Sequence, residues 1–242
     1  ALCLYPLAGH WVWGGLLAAG QGWLGALGFV DFAGATVVHS VGGWIALAAV
    51  LIVGPRIGRF TDAGAQWIPA SNLTLSLLGG LFFLIGWIGF NGGSELGLTD
   101  RVPAIIMNTL LAAASGAITA YLIEQWMGDR ATDNLVLSLN GLIAGLVAVT
   151  AGAHAVSTPA AVMIGAVGAV VMVIADGWMV RHRLDDTIAA VPVHLAAGIW
   201  GTLAVGLFGQ PERLGTGLSR VEQIGVQLLG ITAIGTTTFV LA

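Results

Sequence analysis

Charge is swept into the connectors of this chain. Between them run stretches of about twenty apolar residues, the length an α-helix needs to cross a bilayer. The sequence places such stretches at roughly 33–54, 73–97, 102–127, 134–153, 159–180, 188–209 and from 221 to the end, with residues 1–16 as the close of an eighth. They are too long and too uniformly apolar for the alternating strands of a membrane β-barrel. The connectors carry Arg56, Arg59 and Asp62; Asp100 and Arg101; Asp129, Arg130 and Asp133; Arg181, Arg183, Asp185 and Asp186; and Glu212, Arg213, Arg220 and Glu222.

Only 8% of the 242 residues are charged against 57% hydrophobic, and the mean hydropathy is +0.93. Soluble domains carry about 25% charged residues, so the expectation is an all-α polytopic membrane protein. Its net charge of −4 is small and scattered, which excludes nucleic acid as a partner. The single cysteine, Cys3, cannot form an intrachain disulfide and makes no metal site. No basic segment precedes the first apolar run, so a cleavable signal peptide is not expected. Because the chain opens and closes inside apolar runs, it reads as a single transmembrane domain, residues 1–242, cut at both ends. The connectors after the second, fourth and sixth spans hold five arginines and the opposite side holds three. This bias orients the five towards the cytoplasm and sends the last span there.

Two histidines sit in the middle of long apolar stretches. Val38-His39 is followed by Gly43, and Val193-His194 by Gly198. An ionisable group in a membrane span is costly and marks a functional site. The histidines fall on spans that run in opposite directions, which is what an inverted repeat with a site near the midplane leaves behind. Asp31 is placed to cap the helix bearing His39. Glycines 42, 43, 92, 93, 141, 145, 198 and 201 are expected to let helices approach closely. Asn91, Asn108 and Asn140 are expected to satisfy buried backbone. His154 and His182 fall in connectors, where solvation is the expectation.

At these positions the chain resembles the ammonium transporter (Amt/Mep/Rh) family. The resemblance rests on an ordered series: His10-Trp11-Val12-Trp13-Gly14; Asp31-Phe32-Ala33-Gly34-Ala35-Thr36-Val37-Val38-His39; Gly86-Trp87-Ile88-Gly89-Phe90-Asn91-Gly92-Gly93-Ser94; Asn108-Thr109; Asn140-Gly141; Asp185-Asp186; and Val193-His194. It implies a helical bundle with an inverted repeat, of which helices four to eleven are present. It implies transport, not enzymatic chemistry, through a hydrophobic pore in which His39 and His194 stand side by side and relay protons. Trp13 and Ser94 would recruit ammonium, Phe90 would gate the pore, and Asp31, Trp87 and Asn91 would support it. The resemblance further implies multi-pass residence in the cell (inner) membrane and assembly as a homotrimer. A PII-type regulator or a fused signalling domain would be a further partner. No cofactor is expected. Two intramembrane histidines could also ligate haem, but nothing else in the chain resembles a haem protein.

The stretch Ala189-Ala190-Val191-Pro192-Val193-His194-Leu195 departs from the family pattern. Ala189 stands where the family has an acid, so the helix start is expected to lose an anchoring charge. Pro192, which lacks a backbone donor, is expected to kink the helix. Such divergence resembles the sensor branch, in which the membrane domain feeds a histidine kinase or diguanylate cyclase. Ammonium sensing is therefore the alternative function.

Overall fold

The computed structural model describes residues 2–15, 20–127 and 134–242. Its helices are α1 (Leu4–Trp13), α2 (Trp23–Ala26), α3 (Ala35–Val53), α4 (Leu73–Gly93), α5 (Val102–Met127), α6 (Asn134–Thr150), α7 (Thr158–Arg181), α8 (Val191–Phe208), α9 (Pro211–Leu214) and α10 (Arg220–Leu241). A two-rung antiparallel hairpin, Phe60–Thr61 with Gly64–Ala65, follows α3. Six helices (α3, α4, α5, α7, α8 and α10) are long and apolar enough to span a bilayer. The protein is an integral membrane protein of all-α class, as its apolar runs predict. The remaining two predicted spans are the 17-residue α6 and the ten-residue α1. Asp129, Arg130 and Asp133 lie outside the described residues.

The centre of the bundle is α5, α6 and α7, and glycine sets its spacing. A methyl group on Gly116 would strike the Gly141 carbonyl, and one on Gly145 or Gly165 would strike the Ala112 carbonyl. Backbones this close need small residues, because lipid supplies no hydrophobic drive between helices. The expected packing role therefore holds for Gly141, Gly145 and Gly201, whose methyl would meet the Ala148 backbone. It does not hold for Gly42 or Gly93, which face open space. Around the centre, Ala144, Val147, Ala169, Met172, Val193 and Ala197 form one buried cluster with Trp87.

Hydrogen bonds sort the connectors onto two sides. On the first, Phe32 N and Ala33 N donate to the carbonyls of Ala151 and Thr150, and Gln210 N donates to Ala155. Asn108 Nδ2 donates to the carbonyls of Ala153 and Val156 at 3.0 and 3.1 Å, the backbone role expected of it. On the second side, Asp185 accepts from Arg56 Nε at 2.8 Å and Nη2 at 2.9 Å, and pairs with Arg59 Nε at 3.3 Å. These bonds hold its carboxyl down at about 2, Arg56 contributing most. They tie the end of α3 to the approach to α8.

Candidate functional site

Both histidine helices begin with a π-helical turn, Ala35–Ser40 in α3 and Val191–Ala196 in α8. Such wide turns are rare and gather at functional sites. The two starts correspond at the 155-residue spacing that separates His39 from His194, with the wide turn beginning one residue later in α8. Gly34 takes φ +111°, and its counterpart Ala189 is forced to φ +56° without being glycine. Val38 N donates to the Gly34 carbonyl, as Val193 N does to Ala189.

Asp31 and Asp186 are counterparts too. Asp31, 2% exposed, accepts from the backbone N–H groups of Ala35, Thr36 and Val37 at 2.7, 2.9 and 2.8 Å. It therefore caps α3, as predicted, but from three residues ahead of the capping position, which Gly34 occupies. Burial pushes its carboxyl up to about 6 against the pull of these donors. Asp186 Oδ2 accepts from Val191 N at 2.6 Å. This corrects the expectation that α8 loses its anchoring charge at Ala189: the anchor is Asp186. Pro192 falls in the first turn of its helix, where a missing N–H costs nothing. It does not account for the wide turn, since α3 has the same geometry without proline.

The helices cross reciprocally. A methyl on Gly43 would come within 2.6 Å of the Leu195 backbone nitrogen, and one on Gly198 within 2.6 Å of Ser40 Oγ and the Ala35 carbonyl. Each glycine thus receives the residue that follows the other helix's histidine. Between the contacts, Thr36 and Thr202 share a hydroxyl hydrogen bond of 2.6 Å.

This crossing stacks the imidazoles. The His39 and His194 rings lie 5.3 Å apart at 15°, and Trp87 stacks on His39 at 4.9 Å and 11°. Phe90 stands 5.7 Å from both His39 and Trp87, tilted at 52° and 56°. Trp87 is fixed by its own donor bond to Thr150 Oγ1 at 2.9 Å. Among the described residues no protein group bonds His39 Nε2 or His194 Nδ1, both of them buried.

The structure therefore joins His39, His194, Trp87 and Phe90 directly. Trp13 enters through Asp31, whose carbonyl accepts its indole N–H at 2.8 Å. Ser94 enters through Phe90, donating its hydroxyl proton to that carbonyl at 2.8 Å. The Ser94 oxygen keeps its lone pairs for another donor. Asn91 donates to Thr109 Oγ1 at 2.9 Å, a side-chain partner where backbone was expected.

His182 is exposed, as expected, with its ring against Trp178. His154 is not solvated. It stacks on Phe32 at 4.3 Å with Nδ1 buried, and burial lowers its pKa to about 4. Sequence reasoning named Asp186 but missed its capping role, which the spacing of the histidines, applied to Asp31, locates. It missed Thr150 as the partner of Trp87, for which the sequence carries no signal. Among the described residues no three His, Cys, Asp or Glu side chains converge as a metal site.

The Ammonium Transporter Family model matches residues 1–242. A putative ammonium transporter of Synechocystis sp. is 50% identical over 234 residues, covering 94% of this chain and 43% of that protein. Ammonium transporter Amt2 of Archaeoglobus fulgidus is 41% identical over 217 residues, covering 85% and 45%. The chain thus spans somewhat under half the length of these curated relatives. Among solved structures, a Sensor Amt Protein superposes with TM-score 0.94 at 40% identity, covering 99% of this chain and 60% of that one. Candida albicans Mep2 gives 0.88 at 29%, covering 99% and 53%. With the family model spanning its whole length, this chain belongs to the ammonium transporter family.

Proposed function

We propose that this protein conducts ammonium across the cell membrane as ammonia, with the proton relayed between His39 and His194. The observation that carries the reading is the nearly parallel imidazole pair, half-buried, with buried and unsatisfied ring nitrogens. Moving an intact cation into a dry passage forfeits its hydration. Neutral ammonia forfeits far less and hydrogen-bonds a neutral imidazole, which accepts at one nitrogen and donates at the other. A passing proton can be held at either ring. Potassium and sodium have no proton to surrender and are rejected.

Recruitment falls to the Asp31 side. Trp13 offers its ring face to a cation, and the Ser94 oxygen accepts an N–H from the ion. Phe90, over His39, acts as the gate. Asp31, Trp87 and Asn91 hold the rings in place. The functional protein is a homotrimer, one passage per subunit.

A second reading is ammonium sensing, in which binding shifts helix positions read by a fused cytoplasmic signalling domain or a PII-type regulator. The resemblance to a solved Sensor Amt Protein and the unusual Ala189–Leu195 stretch favour it. Proteoliposomes separate the two. Transport predicts ammonium-dependent current and saturable uptake; ammonium binding without flux would overturn transport and leave sensing.

A further inference from the structure

Glu95 follows Ser94 at the end of α4, and its side chain is only 3% exposed. Its Oε1 accepts from Thr99 Oγ1 at 3.0 Å and pairs with Arg101 Nη2 at 2.5 Å. Arg101, in contrast, is 54% exposed. The carboxylate is thus shielded from solvent, while its guanidinium partner is the solvent-facing half. Adjacent Cα atoms are about 3.8 Å apart, so Glu95 sits next to the residue that bears the proposed recruitment oxygen, and Arg101 reaches Glu95 from just before the start of α5.

The pair shares this side with the connector charges Asp100, Glu212, Arg213, Arg220 and Glu222. His154 lies within reach of the charges of Glu95, Arg101 and Arg213, yet burial keeps it neutral at pH 7. It therefore neutralises nothing there. Asp31 directs its carboxylate into its own helix start.

We propose that Glu95 and Arg101 set the strength of ammonium recruitment electrostatically: the carboxylate attracts the ion beside Ser94, and the guanidinium offsets that attraction. This rests on the transport reading. Coulomb interactions at this range act on local ion concentration and fade with salt. They act on capture of the ion, not on the later passage past the imidazoles.

The test is the ammonium KM of transport currents in proteoliposomes for the wild type, Glu95→Gln, Arg101→Gln and the double variant. Glu95→Gln leaves an unopposed cation at the mouth and raises KM about 3- to 10-fold. Arg101→Gln leaves an unopposed carboxylate and lowers KM by about 2- to 5-fold. The double variant returns to within about 2-fold of wild type. Maximal current is unchanged throughout, and the differences shrink at high salt. A purely structural pair would shift both single variants in the same direction with loss of maximal current; that result, or no shift in either, overturns the inference. A wild type that neither binds nor conducts ammonium overturns the transport reading together with it.

Discussion

Gly43 lies so close to Leu195 that a methyl group on it would stand 2.6 Å from the Leu195 backbone nitrogen. Backbone cannot step aside as a flexible side chain can. Gly43→Ala is expected to cost about 1–3 kcal/mol, as overpacking does, and to push the imidazole rings apart. Gly42→Ala, in open space, is expected to stay within about 0.5 kcal/mol of wild type. Thermal melts in detergent compare the two, and ammonium flux should fall only in the first.

Asp31 holds three buried backbone donors by itself. Asp31→Ala orphans all three, at about 1–3 kcal/mol for each group left unsatisfied. The expectation is a loss of several kcal/mol, or failure to fold. Asp186→Ala should cost less, since Asp186 makes one short bond to Val191 and a long one of 3.4 Å to Ile188. Equal losses in denaturation midpoints would contradict this ordering.

His154 gives a pH signature. Its pKa falls from 6.5 to about 4 on folding, so the unfolded chain binds the extra proton between those values. Its contribution is full above pH 6.5 and is lost as pH falls through about 4, amounting to about 3 kcal/mol. Asp31, raised from 3.8 to about 6, works in the opposite sense over much of this window. The test is therefore the difference between wild type and His154→Gln in melts from pH 7 to 4. Wild type should lose ground to the variant as the solution is acidified; parallel curves would contradict the assignment.

Asp185 behaves in the other acidic range. Its pKa is depressed from 3.8 to about 2, so its stabilisation is present above pH 3.8 and lost as pH falls through about 2. Asp185→Asn at pH 7 is expected to cost about 1–2 kcal/mol, since Arg56 and Arg59 lose a charged partner but Arg56 stays open to solvent. The two proteins should converge as pH approaches 2, which guanidinium-free thermal melts would reveal.

Much of this was legible because the membrane simplifies the code. Apolar runs with few charges place α3, α4, α5, α7, α8 and α10 to within a few residues, and an ionisable ring inside such a run stands out. What stayed hidden depends on geometry across the chain. The His154 ring is half-buried because the segment from Thr150 docks on Phe32 and Ala33, a contact no local pattern encodes. Asp186 is hidden behind Ala189, since the family pattern puts the acid at that position and the wide π turn lets an acid three residues earlier serve instead. The resemblance marks Trp87 as support, but without it Trp87 is one more aromatic in an apolar helix, and nothing local shows that its ring lies flat on His39.

The central claim is that the stacked imidazoles pass the proton that ammonium leaves behind. Its most direct test is the current evoked by ammonium in proteoliposomes holding wild type or His194→Ala, with folding of both confirmed by matching melts. The account predicts that the variant loses proton-coupled ammonium current or admits potassium alongside ammonium. An unchanged, ammonium-selective current in His194→Ala would contradict it.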